Sequence, residues 1–369
     1  MSITINGSGP ITGSDRASSG ANTDITALSS IASINGGQLA GTRNVIINGA
    51  CNVQQRSSLV ASLGVTGYGG PDRFYTFNSG AGGQFTQAAS TLTFGGQVKD
   101  TVRQTVNTAI TTFTTTNIWS GITQVIEGFN SYHLKGKPFV VSFIFNTNLT
   151  GTYSVSVKDG PNGYTYVSTF AAVANTPLKV SVSIEIMPTP ASIPRTNAAG
   201  LLVTVGSLNQ ATYQTSTLNT WLTGNFYTAS TQSNWAATVG NFIELTELQL
   251  EEGTVATTFE RRSYGFELFL CQRYYQSAPI ATGFIHAASF STNRVLSGFT
   301  YSVPMRASPS ASCPANAFVW YSNGGAYTSS AVALSTGAGN GISVDVTVTS
   351  TSGSAGVGQL SSYALSAEL

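Results

Sequence analysis

The sequence predicts an all-β protein: an N-terminal segment, an antiparallel jelly-roll β-sandwich, a short linking helix and a small C-terminal β-domain. Three observations carry that prediction. Apolar and polar residues alternate with a period of two in run after run along the 369 residues, as strands require. Clusters of Gly, Pro, Asn and Asp separate those runs as turns do. Helical spacing is convincing in one stretch, roughly Gly265–Tyr275, where Tyr264, Leu268, Cys271 and Tyr275 follow at intervals of four, three and four.

Residues 1–42 are thin in apolar groups. Met1, Ile3 and Ile5 alternate as an edge strand would, and Asp24 can cap a short helix carrying Ile25, Leu28 and Ile31. So short a helix needs a surface to dock on or copies of itself. Strands then follow from residue 43 to 260: Asn44–Asn48, Arg73–Phe77, Thr101–Val106, Trp119–Ile126, Phe139–Phe145, Tyr153–Lys158, Leu178–Ile186, Leu201–Val205 and Asn241–Leu250. Phe139–Phe145 is almost continuously apolar, as a strand buried on both faces is. Tyr153–Lys158 sets Tyr153, Val155 and Val157 against Ser154, Ser156 and Lys158. About eight to ten strands without an amphipathic helix between them read as a sandwich or jelly roll.

Residues 261–277 form the joint. The stretch Phe242–Ser277 holds six of the fifteen acidic residues, a concentration that marks a junction in a chain this poor in charge. Residues 278–369 are strand-like again, through Gly298–Val303, Ala317–Tyr321, Tyr327–Leu334 and Ile342–Thr349. They have so few large apolar groups that burial between subunits is expected to complete their core.

Composition excludes several function classes. Apolar residues make up 41%, so the chain is not disordered, yet charged residues are only 8% against roughly 25% in ordinary domains. A net charge of +1, with Glu260 beside Arg261 and Arg262, supplies no phosphate-binding patch and argues against nucleic acid. Three cysteines and two histidines without metal-ligand spacing predict no disulfide framework, metal site or cofactor, and assembly in a reducing compartment. The N-terminus lacks the charged and apolar regions of a signal peptide, and no run of 18 apolar residues predicts a membrane span.

Longer motifs add a resemblance. RNVIINGACNVQQR followed by GPDRFYTFN, with Asn44, Asn48, Gly49, Gln55, Arg56, Asp72, Arg73 and Phe74, resembles the opening of jelly-roll modules in bacteriophage tail fibres. ITQVIEGFNSYHLKGKPFVVSFIF, with Glu127, Leu134, Gly136, Lys137, Ser142 and Phe143, is similar to a later block of that family. LQLEEGTVATTFERRSYGFELFLCQRYY resembles its closing signature. NTDITALSSI, Val303-Pro304-Met305-Arg306 and Ala367-Glu368-Leu369 resemble flanking segments of such fibres. The resemblance implies a structural, non-enzymatic tail subunit, homotrimeric, with a jelly roll similar to carbohydrate-binding modules. Residues 1–42 would then attach to other tail or baseplate proteins, assembly would take place in the host cytoplasm, and the virion tail would be its final location. The absence of an extended repeat shaft points to a short fibre or an appendage near the baseplate. The expected function is attachment to host surface polysaccharide; a purely structural tail component is the alternative.

Glycan binding needs flat aromatic faces beside neutral hydrogen-bonding groups. Trp320, Tyr321, Asn323 and Tyr327 around the Ser-Asn-Gly-Gly turn, Tyr68 before Gly-Gly-Pro-Asp, and Trp235 and Trp221 in a Ser/Thr/Asn-rich stretch are the candidates, each weighed against packing in a core or an interface. Trp119 is expected in the core. Asp72 and Arg73 read as a structural pair. Glu251, Glu252 and Glu260 could form a hydrolytic pair only in a cleft, and an acidic turn is ordinarily solvated. No DxDxDG-type loop marks a calcium site. Glu260, Arg261, Arg262, Glu267 and Arg273 are read as joint residues that link the two β-regions and pack against symmetry-related subunits.

Overall fold

The computed structural model describes residues 42–369 except 63, 80–82, 114–117, 120, 162, 190, 280–283, 301, 323–324, 337–340, 349–354 and 361. The strand expected at 1–5, the helix at 25–31 and all of the N-terminal segment except Thr42 lie outside these residues.

The chain is all-β, with antiparallel sheets and one helix longer than a turn among the described residues. Two sheets face each other. One has six strands in the order Leu59–Ala61, Gln84–Phe94, Gln97–Thr108, Phe242–Glu252, Phe139–Thr147, Leu178–Ile184. The other has nine: Leu208–Asn209, Ile118–Trp119, Phe74–Asn78, Ile122–Glu127, Ala199–Val205, Gly151–Asp159, Tyr164–Ala172 and Trp221–Thr223 in order, with Val65–Tyr68 paired to Phe74–Asn78. Phe85, Val102, Phe139, Val141, Phe143 and Phe145 of the first sheet meet Phe74, Ile122, Ile126, Tyr153, Val155 and Val157 of the second in one core. Phe139–Thr147 is buried along its whole length, as its unbroken apolar run requires.

The strand expected over Trp119–Ile126 is split into Ile118–Trp119 and Ile122–Glu127. Gly121 makes the break at φ 67, a conformation open to glycine, and a Cβ there would collide with the Val205 carbonyl.

The linking helix runs Tyr264–Gln272, ending earlier than expected. Tyr274 N–H returns to the Cys271 carbonyl at 2.9 Å, and Tyr275–Pro279 leaves as a strand paired with Ser362–Ser366. Its buried face is also different. Glu267, Cys271 and Tyr274 face Ile47 and Val53, whereas Tyr264 is 57% exposed and Tyr275 lies beyond the helix. The acid is buried because it accepts the Asn48 N–H at 2.5 Å and Arg262 at 3.3 Å.

Past the helix, six strands close into a barrel in the order Phe284–Ser291, Arg294–Thr300, Gly341–Val348, Gly325–Thr336, Phe318–Ser322, Ala355–Leu360. Val295, Phe318, Trp320, Val344, Val346 and Leu360 fill it. Closure removes free sheet edges within one chain, so this region has its own core where burial between subunits was expected.

Candidate ligand-binding face

Strand alternation builds a polar face on the outside of the nine-stranded sheet. In Phe74–Asn78, Phe74 points into the core, so Tyr75 and Phe77 point away from it. In Ile122–Glu127 the core takes Ile122 and Ile126, leaving Thr123 and Val125 outward. Leu202 and Thr204, then Ser154, Ser156 and Lys158, are placed outward by the same rule. Register aligns them. Tyr68 pairs with Tyr75, Tyr75 with Thr123, Thr123 with Thr204, and Thr204 with Ser156. One row therefore runs from aromatic rings into hydroxyls, and Thr123 and Thr204 share a 3.0 Å hydrogen bond. The neighbouring row is Val125, Leu202, Lys158, Thr165.

Residues 224–232, which follow the edge strand Trp221–Thr223, cross this face as a cover with Tyr213 beside them, so the polar side of Gly151–Asp159, which alternation alone would leave in water, is buried. Thr228 Oγ1 and the Ala229 N–H donate to Ser154 Oγ at 3.1 and 3.0 Å, and Thr165 Oγ1 donates to the Gly224 carbonyl at 2.8 Å. The cover brings Tyr227 and Tyr213 beside the sheet's aromatics. Ring centres lie 5.1 Å apart for Tyr68–Tyr75, 6.1 Å for Tyr75–Phe77, 6.1 Å for Phe77–Tyr227 and 6.0 Å for Tyr227–Tyr213. All five rings are partly buried and partly open. Burial raises the Tyr75 and Tyr227 phenols above their ordinary range, so they remain neutral donors at physiological pH. Lys158 is 1% exposed; its Nζ lies 3.6 Å from the centre of the Tyr227 ring and donates to Asn225 Oδ1. Desolvation pulls its ammonium down to about 7.

Chemically, rings with neutral hydroxyls and amides suit a polyol. Among the described residues no group of three or more His, Cys, Asp or Glu side chains could hold a metal, and no helix is long and apolar enough to cross a membrane.

The aromatics singled out from sequence are dispersed. Trp320 and Trp235 are fully buried and present no face to a ligand, which corrects their reading as contacts. Trp320 fills the barrel core. Trp235 is in the sandwich core, where its indole N–H donates to the Gly206 carbonyl at 2.7 Å. Tyr321 is half-buried with its hydroxyl 3.1 Å from Gln359 Oε1, and Tyr327 packs partly buried against the barrel core. Asn323 and the side chain of Trp119 lie outside the described residues. Trp221 packs edge-on against Phe139 and Tyr166. Tyr68 alone among the aromatics proposed as contacts joins the row, with its hydroxyl donating to the Leu369 carbonyl at 3.0 Å.

The joint residues are engaged within the chain. Glu260 accepts the Asn44 N–H at 2.7 Å. Arg262 donates to the Asn44 and Ile46 carbonyls and to Glu267, and Arg273 grips Glu127 at 2.8 and 3.1 Å. Arg261, exposed, meets Glu247 at 2.5 Å. Glu251 is buried, accepting Thr257 N–H and Oγ1 at 2.7 Å each, so it is no solvated turn. Asp72 and Arg73 do not pair with each other. Asp72 takes Gln55, while Arg73 reaches across to Glu368.

Sequence reasoning missed Tyr75, Phe77, Tyr213, Tyr227 and Lys158. The alternation in RFYTF and YSVSVKD is the signal for Tyr75, Phe77 and Lys158, while no local pattern marks Tyr213 and Tyr227; which strands are neighbours was needed to assemble them.

No protein-family model matches the chain, and no curated protein matches it. Several solved structures resemble it distantly, three of them as follows. One, described as "CBM4 structure and function", is 11% identical over 56% of this chain and 97% of that chain, at a TM-score of 0.30. The enzymatically active domain of bacteriophage CBA120 tailspike protein 4 is 11% identical over 57% of this chain and 21% of that chain, at 0.27. The tandem CBM22-1–CBM22-2 domain of Paenibacillus barcinonensis Xyn10C is 10% identical over 85% of this chain and 91% of that chain, at 0.28. The all-β assignment itself stands on the strand pairing above.

Proposed function

We propose that the chain is a non-enzymatic glycan-binding protein, a subunit of a bacteriophage tail fibre that attaches the virion to host surface polysaccharide. The observation that carries glycan binding is the cluster of part-exposed rings Tyr68, Tyr75, Phe77, Tyr227 and Tyr213, gathered from two strands and the segment that covers them. The tail-fibre assignment is supported by the motif blocks at 43–78, 122–145 and 248–275. On this reading the chain assembles as a homotrimer, residues 1–42 bind other tail proteins, and several copies raise weak single-site affinity to useful avidity. A purely structural tail role is the second reading. It is favoured by the burial of Trp320 and Trp235, which removes two aromatics from any contact surface.

Affinity electrophoresis through gels containing host polysaccharide tests the proposal, with Tyr75→Ala/Phe77→Ala beside the unaltered protein. The unaltered protein is retarded, and the double variant loses about tenfold or more in affinity, since ring–sugar contacts contribute on the order of 1–2 kcal/mol each, while its melting temperature changes little. Equal retardation of both proteins would remove this face from the site. Free migration of the unaltered protein would favour the structural reading.

A further inference from the structure

We infer that the outer face of the nine-stranded sheet selects glycans bearing a carboxylate, and that Lys158 with Ser156 forms the subsite for that group; this rests on the glycan-binding reading above. Two unfulfilled polar groups carry the inference. Lys158 Nζ has three N–H donors and meets one acceptor, Asn225 Oδ1, besides the Tyr227 ring face. Among the described residues it forms no ion pair. Asp159, its chain neighbour, directs its carboxylate to the amides of Gly163, Tyr164 and Ser192. Ser156 Oγ, on a residue 1% exposed, has no hydrogen-bond partner at all. A buried hydroxyl and a buried ammonium left this way each cost stability.

The two groups lie on one face of one strand, two residues apart. Their backbone positions are about 7 Å apart, and a carboxylate offers one oxygen to each group, accepting a hydrogen bond at both. A neutral sugar hydroxyl can bond either group but leaves the ammonium without a counter-charge. Thr204 beside Ser156 and Leu202 beside Lys158 bring no anion from the neighbouring strand. The phenol that faces Lys158 is Tyr227 on the cover, and Asp159, next in the chain, is the charge that acts on its ammonium. Entry of the ligand requires displacing Asn225 from Nζ. Asn225 sits on the cover between Gly224 and Phe226, both bonded to Thr165 Oγ1, so its side chain and not the cover's backbone has to move. The low ammonium pKa is the counterpart of the missing anion. A bound carboxylate restores the charge, and binding weakens as pH rises above neutrality.

The test is affinity electrophoresis in alginate, polygalacturonate and hyaluronan, each beside its carboxyl-reduced neutral derivative, at about pH 6 and about pH 8.5. The unaltered protein, Lys158→Gln and Ser156→Ala are run together. At least one acidic polymer is expected to bind about tenfold or more tightly than its reduced form, more strongly at the lower pH, and Lys158→Gln loses both the preference and the pH dependence. Ser156→Ala, which removes one small group, is expected to weaken the preference with the fold intact. Equal binding of acidic and neutral polymers overturns the inference and leaves glycan binding standing. A preference that survives in Lys158→Gln and Ser156→Ala places the anion elsewhere and also overturns it. Binding to none of the six polymers counts against the glycan reading and this inference together.

Discussion

Lys158 carries its ammonium beneath residues 224–232, where one amide oxygen and one ring face meet it. Its consequence for stability has a definite sign. In the unfolded chain the amine titrates near its ordinary value of 10.5, and in the folded chain near 7. Between those values the unfolded state holds more protons, so stability rises with pH through that window and is lowest below it. Lys158→Met is predicted to gain about 1–2 kcal/mol near neutral pH, because replacing a buried ionic group with an apolar one is commonly stabilising. The variant should also lose the rise between about pH 7 and about pH 10. Urea midpoints at several pH values check this; a variant with the parent's pH profile would show that Lys158 is solvated. At this scale the sequence named Lys158 as the polar end of an alternating strand and no more. It likewise could not tell that Trp320 and Trp235 point into cores, because an aromatic beside a turn is equally consistent with either side.

A strand's neighbours decide what its residues do. Gly121 separates Ile118–Trp119 from Ile122–Glu127, and its φ of 67 lets the chain turn under the Val205 carbonyl. The break sets the register that brings Thr123 opposite both Tyr75 and Thr204. Gly121→Ala is predicted to cost more than about 2 kcal/mol, from a left-handed conformation and a backbone collision together, read as a lower urea midpoint with unchanged slope. A neutral result would mean that the loop relaxes freely. The helix makes the same point. Its existence was legible from spacing; its buried face was not, since Glu267 enters the interior only because the Asn48 amide and Arg262 wait there.

The sandwich and the barrel meet through a charged joint. Glu368 accepts Arg56 at 2.5 Å and Arg73, Arg56 lies 3.7 Å over the Tyr275 ring and Arg73 3.6 Å over the Tyr274 ring. Arg306 donates to the Glu368 carbonyl at 3.0 Å and, across the joint, to the Asn197 carbonyl at 2.6 Å. Glu368 belongs to the barrel side of the sequence, and both guanidiniums belong to the sandwich. Removing the carboxylate leaves two largely buried cations, a loss of about 3–5 kcal/mol. Glu368→Ala is therefore predicted to split one calorimetric transition into two, as sandwich and barrel melt independently. A single transition at the parent temperature would mean that the joint is held by Arg306 and the helix instead.

From the sequence alone came the all-β class, the place of the helix and the low content of charge. Each depends on local periodicity and composition, which neighbours along the chain express directly. The tertiary structure decided the rest. Closure of the barrel, the core roles of Trp320 and Trp235, the reach of Arg73 to Glu368 and the row from Tyr68 to Ser156 join residues distant in sequence. Alternation tells which residues share a face of one strand. Only hydrogen-bonded register between strands tells which faces lie side by side, and a binding face is made of several strands at once.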